Sequence, residues 1–331
     1  MKRLVRFIAA LGIAVASPFG WGQSVVPPSE GMQLLQRVVA AAQKISYSGT
    51  FVYRNGSQSE TSRILHVAGN GQQTEKLEVL DGSPREVIRH NDEVSCYLPE
   101  SRLVIVEQRS ARRTFPALLP VSIAGLGDHY LIRKAGNARV AGFDSQVIRL
   151  EPRDGWRYGH QLWVENATGL LLKAEINDER GAPLESMAFT ELRLGEPQRA
   201  DEIKPSFAAA ARNGWQIRQA RLREMRDDGP WMFRGDLPGF RRESAMRRIL
   251  PAEGETEPSE ILHWVYSDGL VSLSVFISPL RKGEVVEEGV QSFGALSVMK
   301  RHVEGHKVVV MGDMPAAAIK RFAEGVGVRS K

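Results

Sequence analysis

The chain has 331 residues, a single cysteine, and 44 basic against 39 acidic side chains, for a formal net charge of +5. Its length exceeds the usual single domain, so two are expected, and Cys96 alone excludes an intrachain disulfide. The charge excess is no nucleic-acid footprint: Lys2, Arg3 and Arg6 fall in a predicted leader, and without them the balance is 41 to 39.

Those three basic residues precede an apolar run, 7–15, too short to span a bilayer. A signal peptide over 1–22 is expected, with cleavage after Gly22 preferred and Ala16 as the other exit. An exported, periplasmic chain follows from it. Ser29 is expected to cap a helix running to about Ile45, with Met32, Leu35, Val38, Val39, Ala42 and Ile45 on one stripe. Short strands come next at 47–53, 63–67, 76–80, 86–89, 94–98 and 103–106. Asn55-Gly56, Asp81-Gly82, Asn91-Asp92 and Pro99-Glu100 turn between them, as in an antiparallel meander. Cys96 alternates with Val94 and Leu98 and reads as a small buried hydrophobe; His66 reads as a structural histidine.

The strand pattern stops after Val106. Phe115, Leu118, Leu119, Val121 and Ile123 form an apolar segment broken by Pro116, Pro120 and Gly125. It suits a flap over the hollow of a curved sheet, facing Phe51 and Tyr53 from the meander and Leu162 and Val164 from a later strand. Such a flap either completes a dry core or closes over an apolar ligand. Strands resume at 130–134, 138–143, 146–150, 158–165, 170–177 and 183–194, with turns at 142–144, 167–169 and 178–181.

A linker is expected over 195–214, dividing a domain at 24–194 from a smaller one at 215–331. Ten arginines crowd 212–248. Of these, Arg241, Arg242, Arg247 and Arg248 are candidates for a partner's acidic groups. Within the second unit, strands are expected at 215–225 and 240–250, hairpins around Asp268-Gly269 and Gly305, an acidic loop from Glu253 to Glu260, and a last helix opened by Pro315.

No nucleophile elbow, zinc-protease motif, P-loop or dinucleotide fingerprint is present. Ser297-Val298-Met299-Lys300 matches a Ser-x-x-Lys pattern by letters only. The scattered histidines and lone cysteine give no metal-ligand spacing, so neither a catalytic residue, a cofactor nor a metal is expected. The fold class that results is mainly β with helices (α+β), built for binding.

Several segments carry a family resemblance: Ser46-Tyr47-Ser48-Gly49-Thr50-Phe51-Val52-Tyr53, Arg63-Ile64-Leu65-His66, Leu80-Asp81-Gly82-Ser83-Pro84-Arg85-Glu86-Val87, Cys96-Tyr97-Leu98-Pro99, Leu162-Trp163-Val164-Glu165 and Tyr266-Ser267-Asp268-Gly269-Leu270-Val271. Together they resemble the RseB/MucB family across nearly the whole chain. That resemblance implies a periplasmic negative regulator of the sigma-E (AlgU-type) envelope stress response, with alginate production among its outputs in pseudomonads. It implies a large half-barrel domain similar to LolA and LppX. We expect that domain to sense lipid and the smaller one mainly to hold the anti-sigma factor. The partner would be the periplasmic part of a MucA/RseA-type anti-sigma factor, shielded from site-1 proteolysis and released by lipid or lipopolysaccharide fragments. A periplasmic lipid or lipoprotein carrier on the same half-barrel is the alternative, and a homo-oligomer stays open.

Overall fold

A computed structural model describes residues 24–69, 71–108, 114–120, 122–195, 203–208, 211, 214–219, 222–224, 229–250, 259–281 and 283–329. The expected leader, Val121 and the acidic positions 253–257 lie outside them. No helix among the described residues is long and apolar enough to cross a membrane.

Two antiparallel meanders, with a short strand added at each outer edge, form one thirteen-stranded sheet, and the last of these, Gln216–Gln219, pairs parallel. The sheet order runs from Ser24–Val25 through Tyr130–Val140, Phe143–Pro152, Gly159–Glu165, Leu171–Asn177 and Pro183–Leu194. It then continues through Tyr47–Asn55, Gln58–Gly69, Gln72–Val79, Glu86–His90, Glu93–Leu98 and Leu103–Gln108 to Gln216–Gln219. The seam between the meanders is the pairing of Pro183–Leu194 with Tyr47–Asn55, where Phe51 faces Phe189. Thr190 bulges out there, and Gly49 is needed beside it: a Cβ on Gly49 would stand 2.4 Å from the Glu191 carbonyl oxygen.

Helix Pro28–Lys44 lies against this sheet, touching the distant strands Gln58–Gly69, Tyr130–Val140 and Leu171–Asn177. One helix reaches all three only because the sheet curls around it. Leu35, Val38, Ala41 and Ala42 are buried in this contact, and each fully buried aliphatic side chain contributes roughly 1.5–3 kcal/mol. The helix starts one residue before the expected cap. Pro28 takes the first helical position with its φ already set, so Ser29 lies inside the first turn and caps nothing.

Other expectations shift. The strands expected at 130–134 and 138–143 are one strand, Tyr130–Val140, with a register shift between Lys134 and Asn137. Gly136 at φ 94° bends the ladder without ending it, and the turn follows at Ala141-Gly142. The strand expected over 215–225 is two short ones, Gln216–Gln219 in the large sheet and Leu222–Glu224 in the second. Cys96 is half-buried rather than buried. His66 is fully buried, with Nδ1 2.9 Å from the Ile45 carbonyl oxygen and its ring 4.9 Å from that of Tyr47.

The second sheet has seven strands, in the order Leu222–Glu224, Arg241–Leu250, Ser259–Ser267, Ser272–Pro279, His306–Asp313, Leu296–Val303 and Gly289–Phe293. Helix Ala316–Gly325 follows Pro315 and covers one face. Ile319 and Phe322 are buried with Trp264, Val275, Val308 and Val310. A two-stranded ribbon, Trp231–Phe233 with Val326–Val328, closes the end, and the Phe233 ring stacks 3.9 Å from that of Phe322.

Candidate functional site

Chemistry concentrates where the two sheets meet. The hairpin turn Asp268–Val271 projects from the small sheet into the large one. Asp268 accepts hydrogen bonds from the backbone N–H of Leu270 (2.9 Å) and Val271 (2.8 Å), which fixes the turn. Its other oxygen accepts from Arg157 Nε at 2.6 Å, with both side chains closed to solvent. Arg157 also pairs with Asp154 and donates to the Pro238 carbonyl, and its guanidinium lies 5.0 Å over the Phe240 ring. Leu270, at the tip of the turn, packs against the apolar cores of both sheets.

A second link joins the sheets nearby. Glu185 accepts from Asn55 Nδ2 and from the Ala295 backbone N–H, each at 3.2 Å, while Asn55 also donates to the Phe293 carbonyl. Burial raises the Glu185 carboxyl above its ordinary range, and the charge of Asp313 adds to it. Burial likewise pushes the Tyr53 phenol up to about 12, helped by Glu185. Asp313 keeps solvent access, but protein packed around it raises its carboxyl too.

Between these links lies a cavity of about 330 Å³. Leu118, Leu119, Leu162, Met187 and Leu270 form its apolar walls, and His160, Glu185 and Asp313 supply polar groups. His160 Nε2 is buried without a hydrogen-bond partner among the described residues, and burial lowers the imidazole to about 4, so it is neutral at neutral pH.

The expected flap residues divide. Leu118, Leu119 and Leu162 line the cavity. Phe51, Phe115, Ile123 and Val164 lie in the dry core of the large sheet. There Phe115 sits 5.1 Å from the Phe51 ring and 4.9 Å from the Phe189 ring. Tyr53 stands by the Glu185 link, its hydroxyl accepting from Asn55 at 3.2 Å. The helix and these flap residues pack against the concave side of the sheet, and the cavity lined by Leu118, Leu119 and Leu162 lies at the junction. Arg241 and Arg242 are exposed on strand Arg241–Leu250, Arg247 pairs with Glu260 at 2.8 Å, and the side chain of Arg248 lies outside the described ones. Arg157, His160, Glu185, Asp268 and Asp313 were not among the expected site residues. Arg157, set between Trp156 and Tyr158, carried the one local hint, a charge in an aromatic setting. Among the described residues no group of three or more His, Cys, Asp or Glu is placed to hold a metal.

These features define a two-part β-rich binding protein whose parts are locked by buried polar contacts. The chain belongs to the MucB/RseB family: the family's N-terminal domain matches residues 30–207 and its C-terminal domain residues 225–327. It is 29% identical to the sigma factor AlgU regulatory protein MucB of Pseudomonas aeruginosa over 327 residues, covering 97% of this chain and 96% of that protein. It is 23% identical to the sigma-E factor regulatory protein RseB of Escherichia coli K12, over 96% of each. Two solved structures cover 91% of this chain and all of their own. They are MucB in complex with MucA(peri), with a TM-score of 0.69 and 27% identity, and the Pseudomonas aeruginosa MucA/MucB complex, with a TM-score of 0.71 and 26% identity. The family is one of regulatory binding proteins.

Proposed function

We propose that this chain is a periplasmic negative regulator of a sigma-E/AlgU-class sigma factor. It binds the periplasmic segment of a MucA/RseA-type anti-sigma factor and shields it from site-1 proteolysis until lipid or lipopolysaccharide frees it. The observation that carries the reading is the match, over 91% of the chain, to MucB structures solved with MucA, one of them with MucA(peri). The exposed Arg241 and Arg242 offer planar, bidentate donors to acidic side chains of such a segment, which supports the small unit as the principal holder. Arg247, on the same strand, pairs with Glu260.

Capture of a purified periplasmic anti-sigma segment, with and without lipopolysaccharide, tests this reading. The expected result is retention on the chain, loss of retention with lipopolysaccharide, and slower cleavage of the segment by its site-1 protease while bound. No retention, or retention indifferent to lipid, overturns it. The second reading, a lipid carrier, draws on the junction cavity alone and predicts lipid binding with no effect on the segment.

A further inference from the structure

We infer that the cavity at the junction of the two sheets is a binding site for a small amphipathic cation, a protonated amine on a short aliphatic body. This goes beyond the anti-sigma reading and does not rest on it.

Three observations on the cavity carry the inference. Its walls are apolar on both sides, with Leu118, Leu162 and Met187 from the large sheet's unit and Leu270 and Val271 from the small one, so an aliphatic body is favoured over water. Its charged lining has one sign. Glu175, Glu185 and Asp313 line it, and no Lys or Arg among the described residues does. Glu175 is already taken, paired with Lys173 at 2.7 Å, and Glu185 accepts from Asn55 and Ala295. Asp313 has no such cation among the described residues. The third observation is independent of the acids: His160 lines the same space, and its Nε2 is buried with no partner. A buried polar atom left unpaired costs free energy that a ligand group recovers by pairing with it.

An ammonium group satisfies this set. It gives Asp313 a counter-charge, leaves a donor for His160 Nε2 in its accepting tautomer, and keeps its alkyl chain on the leucines. The raised carboxyls of Glu185 and Asp313 fit a site built for a counter-cation, because a nearby positive charge returns such groups to their ionised form. An anionic head faces the wrong field. Because the ligand touches both units, it binds the docked arrangement of the sheets and stabilises it by mass action.

Calorimetric titration of the full mature chain with hexylammonium, hexanol, hexanoate and methylammonium tests the site. Hexylammonium is expected to bind, the other three at least about tenfold more weakly. Asp313→Asn is expected to lose about tenfold in hexylammonium affinity while leaving hexanol unchanged. His160→Phe, which keeps a ring in place, lowers hexylammonium affinity without removing the charge preference. Equal binding of hexanol makes the cavity merely apolar, equal binding of methylammonium makes it a surface charge effect, and preference for hexanoate reverses the sign. Any of these overturns the inference, as does no heat from any probe at millimolar concentration or an unaltered Asp313→Asn variant.

Discussion

Arg157 and Asp268 meet across 2.6 Å with no solvent on either side, and they stand on strand connections of different sheets. Neither charge has water to return to while the sheets stay docked. An ion pair of this kind gives little net stability over apolar residues of the same shape, but losing one member leaves a buried charge uncompensated. Arg157→Met is therefore expected to cost about 3–5 kcal/mol in urea unfolding. The paired variant, Arg157→Met with Asp268→Leu, recovers part of that loss, although Leu270 and Val271 N–H lose their acceptor. A cycle in which the two losses simply add, or an Arg157→Met cost below about 1 kcal/mol, contradicts the interlock.

His160 makes stability depend on pH with a definite sign. Its imidazole is lowered from 6.5 to about 4 in the folded chain. Between those values the unfolded chain binds a proton that the folded chain refuses, so stability rises with pH across that window. The contribution is fully present above the unfolded value and is lost as pH falls toward 4. Glu185 and Asp313 are raised, bind protons more readily when folded, and oppose this loss at the acid end. His160→Phe is expected to flatten the fall between neutral pH and mild acid by about 2–3 kcal/mol, read from urea midpoints along a pH series. An unchanged slope in that variant removes His160 from the account.

The strands were legible wherever the signal was local. In strand Gln58–Gly69 Ser62, Ile64 and His66 are buried at every second position, and Asn55-Gly56 and Asp81-Gly82 stop the runs, so period and turn chemistry agree. Gly136 misled because a glycine at positive φ serves a bulge as well as a turn, and only the partner strand decides which. Gly289–Phe293 escaped notice because all five residues are exposed and nothing alternates. The junction was the least legible part. Asp268-Gly269 reads as an ordinary hairpin turn, and the partner that makes it a hook stands 111 residues away. Flap residues were recognised as apolar and covering, but whether they cover a ligand or a core depends on Phe189 and helix Pro28–Lys44, which no local pattern places opposite them.

Gly294 offers a test of the second link. It has φ +61°, and a Cβ there would fall 2.0 Å from Asn55 Oδ1, the residue that ties Glu185 to the small sheet. Gly305 has φ +72° but open space around it. Gly305→Ala therefore carries only the left-handed backbone cost, about 1 kcal/mol. Gly294→Ala adds displacement of Asn55 and is expected to cost about 1–3 kcal/mol more, since the backbone and the side chain must both yield. Paired thermal melts of the two variants decide this. Equal losses would mean that Asn55 moves aside without consequence.

Phe115 separates a lid from a core. A mobile lid over a ligand carries side chains whose loss alters binding more than stability. Phe115 instead sits with Phe51 and Phe189, three rings whose centroids lie 4.9 to 6.1 Å apart, and it is 3% exposed. Edge-tilted packing of this kind adds to plain burial, so Phe115→Ala is expected to cost about 3–5 kcal/mol by chemical denaturation. Leu118 is half-buried on the cavity wall, where truncation opens space already present, and Leu118→Ala is expected to cost under about 2 kcal/mol. The reverse order would mean that the segment around Phe115 opens readily in solution and that the apolar hollow behind it, not the junction, is the space a ligand enters.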